Sequence, residues 1–165
     1  MNVRTGIHRQ RGVTLVEVLT AVVVLSVGLL GVAALTLTSA RTNQNAALRS
    51  TATVLIGDMV DRMRANASGL RGGSYDSIAA NAAGTTPTVS SCNSSCDAAA
   101  MATYDATQWQ ARIVELLPQG TGAVSCAGTS SGKMRQCIVT ITWRESVGAR
   151  ETQVPAQSFA MRVDV

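Results

Sequence analysis

The chain has 165 residues, 14 of them basic and 10 acidic, with one histidine and four cysteines. Arg4, Arg9 and Arg11 fall in the first 12 positions and every acid lies after them, so the remainder sets 11 basic residues against 10 acids and the formal charge of +4 shrinks to +1. That balance, with Tyr75, Tyr104, Trp109, Trp143 and Phe159 as the whole aromatic set, argues against a basic nucleic-acid surface or a stacking platform for single strands.

In chain order, the first feature is the stretch RQRGVTLVEVLTAVVVLSVGLLGVAALTLTSA at 9–40. An apolar run starts at Val13 and fades near Leu37, and Glu17 is the one charge inside it. About 20 apolar residues are enough to cross a bilayer as a helix. A carboxylate in such a helix costs roughly 3 kcal/mol on insertion scales, so Glu17 needs a partner or a function. The arginines before the run keep the amino terminus in the cytoplasm and send the carboxyl-terminal side across the membrane. The cysteines then meet an oxidising compartment, which suits disulfides better than metal. Four cysteines allow three pairings. Cys92 with Cys96 and Cys126 with Cys137 is the favoured set, because each bond closes a local loop.

Helix-compatible residues run from Val13 to about Asn66, enough for a rod of roughly 80 Å at about 1.5 Å per residue. Gly28 and Gly31 are its weak points and permit close helix approach or local unwinding. Leu48, Ala52, Leu55, Met59 and Met63 form one apolar stripe on the second half. Asp58 with Arg62, and Asp61 with Arg64, are read as ion pairs on a solvated face. SGLRGGS at 68–74 ends the helix, and residues 79–100, poor in large apolar groups, read as a surface loop. Asp105 is a candidate N-cap with Gln108 three residues on. A short helix then carries Trp109, Ile113 and Leu116 or Leu117 inward until Pro118 and Gly120 stop it. Trp109 is expected as a core anchor.

From Gly122 the period changes to two. Ala123 to Cys126 reads as a strand, Ala127 to Arg135 as a polar loop, and Gln136 to Arg144 as the clearest strand. There Cys137, Val139, Ile141 and Trp143 share one face. A third strand covers about Gln157 to Val165, with Phe159, Met161, Val163 and Val165 inward. Three antiparallel strands against a long helix make an α+β domain.

Gly12-Val13-Thr14-Leu15-Val16-Glu17 resembles the cleavage and methylation motif of type IV prepilins and related pseudopilins. The resemblance implies that a prepilin peptidase in the inner membrane cuts between Gly12 and Val13 and methylates the new amino terminus of Val13. Glu17 is then the fifth mature residue, as the acid is in that family, while valine stands where phenylalanine is usual. A secretory signal loses its apolar part at the cut; a cut after Gly12 keeps it. The expected division is a leader over 1–12, a membrane and assembly helix over 13–40, and a periplasmic domain over 41–165, whose residues 41–67 continue the helix. LSVGLLG at 25–31, DRMRAN at 61–66 and WQARIVELLPQGTG at 109–122 resemble the PilV type of minor pilin, the type IV pilus modification proteins. That resemblance implies a low-abundance subunit that primes pilus assembly with other minor pilins and the major pilin. It also implies a place in the tip complex beside a large tip-associated adhesin, in support of twitching and adhesion. A minor pseudopilin of type II secretion and a DNA-uptake pilin are the alternatives, the second disfavoured by the near-neutral charge.

His8 is the single histidine and lies in the leader. A Ser-His or Cys-His catalytic pair is therefore not expected after cleavage. The acids are scattered, and the cysteine spacings fit no common zinc framework. No catalytic, cofactor-binding or metal-ligating residues are expected, and no nucleic-acid partner. Glu17 is instead expected to meet the amino group of a neighbouring subunit's Val13 and so fix axial register.

Overall fold

The computed structural model describes residues 12–92, 95–127, 135–145 and 156–165. Arg4, Arg9, Arg11 and His8 lie outside the described residues, as does most of the expected polar loop 127–135. The chain divides after Ala40 into two units.

One helix, α1 (Leu15–Ala65), runs for 51 residues without a break at Gly28 or Gly31. A β-carbon built on either glycine meets nothing within 4 Å, so no packing among the described residues demands glycine there. In the first unit every described apolar side chain is exposed, Val13 through Leu37. The hydroxyls of this segment turn back onto the helix: Ser26 Oγ donates to the Val22 carbonyl at 2.7 Å and Thr36 Oγ1 to that of Val32 at 2.9 Å. Polar groups satisfied in this way add little cost in an apolar solvent. Among the described residues α1 is the helix long and apolar enough to cross a membrane.

The second unit, Arg41–Val165, is built on the remaining part of α1. Ala52, Leu55, Met59 and Met63 are buried with Ile56 and Val60, and Leu48 packs partly covered against them, as the stripe requires. A further short helix, α2 (Ala67–Arg71), follows at once, where a plain loop was expected. Asn66 makes the bend: its side-chain oxygen caps α2 by accepting from Gly69 N at 3.1 Å. Its amide donates to the Ala98 carbonyl at 2.8 Å.

The next helix, α3 (Ala98–Leu116), starts two turns before the expected N-cap. Asp97, not Asp105, caps it, accepting from Ala100 N at 2.7 Å. The run Ala98–Ala100 lacks apolar bulk but alanine is the strongest helix former, and a good cap releases that propensity. Asp105 lies inside the helix and is buried. Of the two leucine options, Leu117 is buried just beyond the helix and Leu116 faces outward.

Among the described residues the sheet has four antiparallel strands in the order β1 (Ser77–Ile78), β2 (Thr121–Ala127), β3 (Gln136–Arg144) and β4 (Ala156–Asp164). β1 is too short to announce itself by period; it pairs with β2 through Ser77 and Ile78, and Cys126 N donates to the Asp76 carbonyl beside it at 3.1 Å. Along β3 the buried residues are Cys137, Val139, Ile141 and Trp143, alternating as expected. They meet the α1 stripe, Trp109, Ile113 and Leu117 in one core. On β4 the expected inward row is only half covered. Met161, Val163 and Val165 pack partly against the core, but Phe159 remains 38% exposed. It stands on the outermost strand, opposite Ile141, and is not among the residues packed against the core.

Candidate functional site

The expected processing and assembly residues sit together at the start of α1. Gly12, Val13 and Thr14 precede the helix and are exposed. Thr14 is its N-cap: the hydroxyl accepts from Glu17 N at 3.3 Å, and the carbonyl accepts from Glu17 N at 3.0 Å and Val18 N at 3.3 Å. Thr14-Leu15-Val16-Glu17 is thus a capping-box sequence, with threonine at the cap and glutamate three residues on. The acid at this turn also opposes the positive end of the helix dipole. The T-x-x-E spacing is the signal in the sequence for Thr14 as the cap, a role separate from the register expected of Glu17. Among the described residues no hydrogen bond or ion pair reaches the Glu17 carboxylate. It is exposed at the head of an apolar helix and open to a cation from another chain.

The second arrangement is a polar seam inside Arg41–Val165, where the DRMRAN segment meets α3. Asp58 and Arg62 on α1, and Asn66 just beyond its end, recur every four residues. Arg62 Nε donates to Asp58 at 3.1 Å, while its Nη1 reaches Gln108 Oε1 at 2.7 Å and Asp105 Oδ1 at 3.4 Å. The Arg62 side chain is only 19% exposed, so the solvated-face reading fails for this pair and holds only for Asp61 and Arg64, at 3.8 Å in open solvent. Tyr75 completes the seam: its buried hydroxyl donates to Asp105 Oδ2 at 2.6 Å and accepts from Asn66 Nδ2 at 3.1 Å. Burial, and then the carboxylate of Asp105 beside it, push the phenol well above its ordinary range. Each acceptor of Asp105 therefore has a donor, which a buried carboxylate requires. These bonds fix α3 against α1.

The WQARIVELLPQGTG segment is explained by close approach. Trp109 Nε1 donates to the Leu55 carbonyl at 2.8 Å, which anchors α3 on α1. A β-carbon on Gly122 would stand 2.5 Å from Ile113 and 2.6 Å from Trp109, and one on Gly120 2.6 Å from Ile113. Only glycine lets the chain leave α3 and enter β2 under those side chains. Gln119 takes a positive φ of 51° to make that turn.

The four cysteines are joined as Cys92 to Cys96 and Cys126 to Cys137. Cys126 and Cys137 are directly opposite in the β2–β3 register, with Cα atoms 4.0 Å apart. Among the described residues no group of His, Cys, Asp or Glu could hold a metal ion. Another buried cation, Arg135, ties the far end of the domain. It pairs with Asp76 and donates to the carbonyls of Leu70 at 3.2 Å and Arg71 at 3.3 Å, at the carboxyl end of α2.

Two family models match this chain. The prokaryotic N-terminal methylation motif covers residues 7–33, and the family described as type IV pilin Tt1218 covers residues 34–107. The first takes in Gly12, Val13 and Glu17; the second takes in the polar seam apart from Gln108. No curated protein and no solved structure gives a match.

Proposed function

Because this chain belongs to the type IV pilins, a structural and not an enzymatic family, we propose that it is a minor subunit that primes pilus assembly and takes its place in the tip complex. Supporting the reading is one observation above others. A capped helix start presents Gly12, Val13 and an unpartnered Glu17 to the surroundings, and the apolar residues behind them are exposed. A prepilin peptidase removes residues 1–12 and methylates Val13. The helix then holds the subunit in the inner membrane with Arg41–Val165 in the periplasm. On assembly the Glu17 carboxylate meets the new amino group of a neighbouring subunit. A buried pair of this kind adds little net stability, but leaving one partner alone costs about 3–5 kcal/mol. Mis-staggered subunits are rejected on that asymmetry. The partners on this reading are the other minor pilins, the major pilin and a tip-associated adhesin; DRMRAN and the Trp109–Gly122 segment support the PilV type.

Mass spectrometry of the amino terminus from membranes tests the class. A chain beginning with methylated Val13 is expected, and a working protein that retains Met1–Gly12 overturns it. A deletion strain separates pilus from secretion: loss of surface pili and twitching with normal exoprotein secretion is the expected pattern.

A further inference from the structure

We propose that the outer edge of β4 is a docking strand, onto which an extended segment of a different subunit adds as a fifth strand of the sheet. The two edges of this sheet are unlike. β1 is two residues long, a blunted edge, whereas β4 runs for nine residues with an unbroken register against β3. Natural sheets protect an open edge with proline, lysine, a bulge or an inward charge. Ala156–Asp164 has none of these; its charges, Arg162 and Asp164, stand at one end on the outer face. Among the described residues no strand pairs with this edge.

The backbone directions follow from one pair. Arg135 and Val165 exchange both hydrogen bonds, at 2.7 and 2.9 Å. In an antiparallel ladder bonded and non-bonded pairs alternate, so Gln157, Phe159, Met161 and Val163 bond inward to β3 by the same register. The N–H and C=O groups of Ala156, Ser158, Ala160, Arg162 and Asp164 therefore point away from the sheet. Ser158 and Ala160, in the middle of that row, are small and let another backbone approach to sheet spacing.

The side chains say what kind of strand fits. Phe159 is 38% exposed, and Met161 and Val163 are only partly covered. An added strand with apolar groups at alternate positions would extend this row and cover it, with small or polar groups facing Ser158 and Ala160. A second copy pairing antiparallel about a twofold axis would reverse the Arg41–Ala65 part of α1 relative to its mate. Subunits that share one membrane run in one direction, which excludes that pairing of β4 with β4, and the strand we assign comes from a different chain; this step rests on the pilin reading above.

Amide hydrogen exchange on the full-length protein tests the edge, comparing the detergent-purified monomer with the native membrane-and-fibre fraction. The amides of Ser158, Ala160 and Arg162 should exchange freely in the monomer and slow at least tenfold in the native fraction, while those of Phe159 and Met161 are slow in both. Ala160→Pro removes an outward N–H and no bond to β3. It should keep the melting temperature of the purified chain and lower its amount in the native fraction at least fivefold. Ser158→Pro is the second variant, should the first fail to fold. Slow exchange of the outward amides in the dilute monomer would mean the chain covers its own edge, and overturns the proposal. So does protection that rises with concentration of the purified chain alone, which marks a second copy. Equal exchange in both fractions, or proline variants incorporated at the wild-type level, also overturns it. The amino-terminal mass read from the same samples decides the pilin assignment separately.

Discussion

Two tasks meet at Glu17, one on its backbone and one, in the proposed assembly, on its side chain. As the third residue of a capped helix it donates its backbone N–H to the Thr14 hydroxyl. Its carboxylate has no partner among the described residues, and the proposed assembly pairs it with a neighbour's amino terminus. The tasks separate by substitution. Glu17→Ala should still be cut after Gly12 and inserted, yet co-purify with other pilins at least tenfold less; normal co-purification would count against the register role. Thr14→Val removes only the cap, costing about 1 kcal/mol of helix stability, and should leave incorporation nearly unchanged. Gly122 gives the sharpest stability test. Gly122→Ala drives a methyl to 2.5 Å from Ile113 and 2.6 Å from Trp109, both fully buried. Overpacking of this kind costs about 1–3 kcal/mol, measured as a lower urea midpoint. The turn was legible in the sequence as a stop signal. That glycine is needed because Trp109 and Ile113 lie against the backbone was not, since those residues are brought there by packing. Tyr75 supplies a pH dependence. Its phenol is raised in the folded state, by burial first and Asp105 second. A raised folded value means stability fully present below the unfolded phenol's pKa of about 10 and lost as pH rises beyond it. Urea unfolding followed from pH 8 to 11 should weaken above pH 10 in the wild type, and Tyr75→Phe should flatten that decline.

Among the elements, α3 shows what periodicity misses. Its apolar face from Trp109 to Leu117 was readable, and Trp109 and Ile113 are buried there. Its first turns were not, because Ala98, Ala99 and Ala100 give no amphipathic signal, and Asp97 with its cap bond is the feature that starts the helix. Misplacing that start made Asp105 a cap, when it is the buried acceptor for Arg62 and Tyr75. Arg62 likewise looked like one half of an i,i+4 surface pair. The same spacing holds, but α3 lies over it. Arg62→Ala leaves Asp105 short of a partner in a buried setting. It should destabilise the domain by about 3 kcal/mol, well beyond the few tenths expected of a surface pair; thermal melts of Arg62→Ala against Arg64→Ala make the comparison. The β2–β3 hairpin was more transparent, since strict alternation over Gln136–Arg144 determines which face is buried.

At the scale of the whole molecule, the core of the second unit draws on α1 only from Leu48 onward. A chain beginning at Arg41 should therefore keep its fold, its far-ultraviolet circular dichroism and a cooperative melt. It should lose membrane association, because every exposed apolar residue from Val13 to Leu37 lies before that point. The amino-acid order alone determined the apolar helix, the Gly12–Glu17 motif, the core stripe on α1 and the face of β3. These are local patterns of period and spacing, readable without knowing what packs on them. Tertiary structure decided the rest: α3 over Arg62, Asp105 and Tyr75 meeting across 30 residues, β1 joined to β2, and Phe159 left uncovered at the sheet's edge. Those depend on which surfaces meet after the chain closes, and a side chain's neighbours across space leave no period along the sequence.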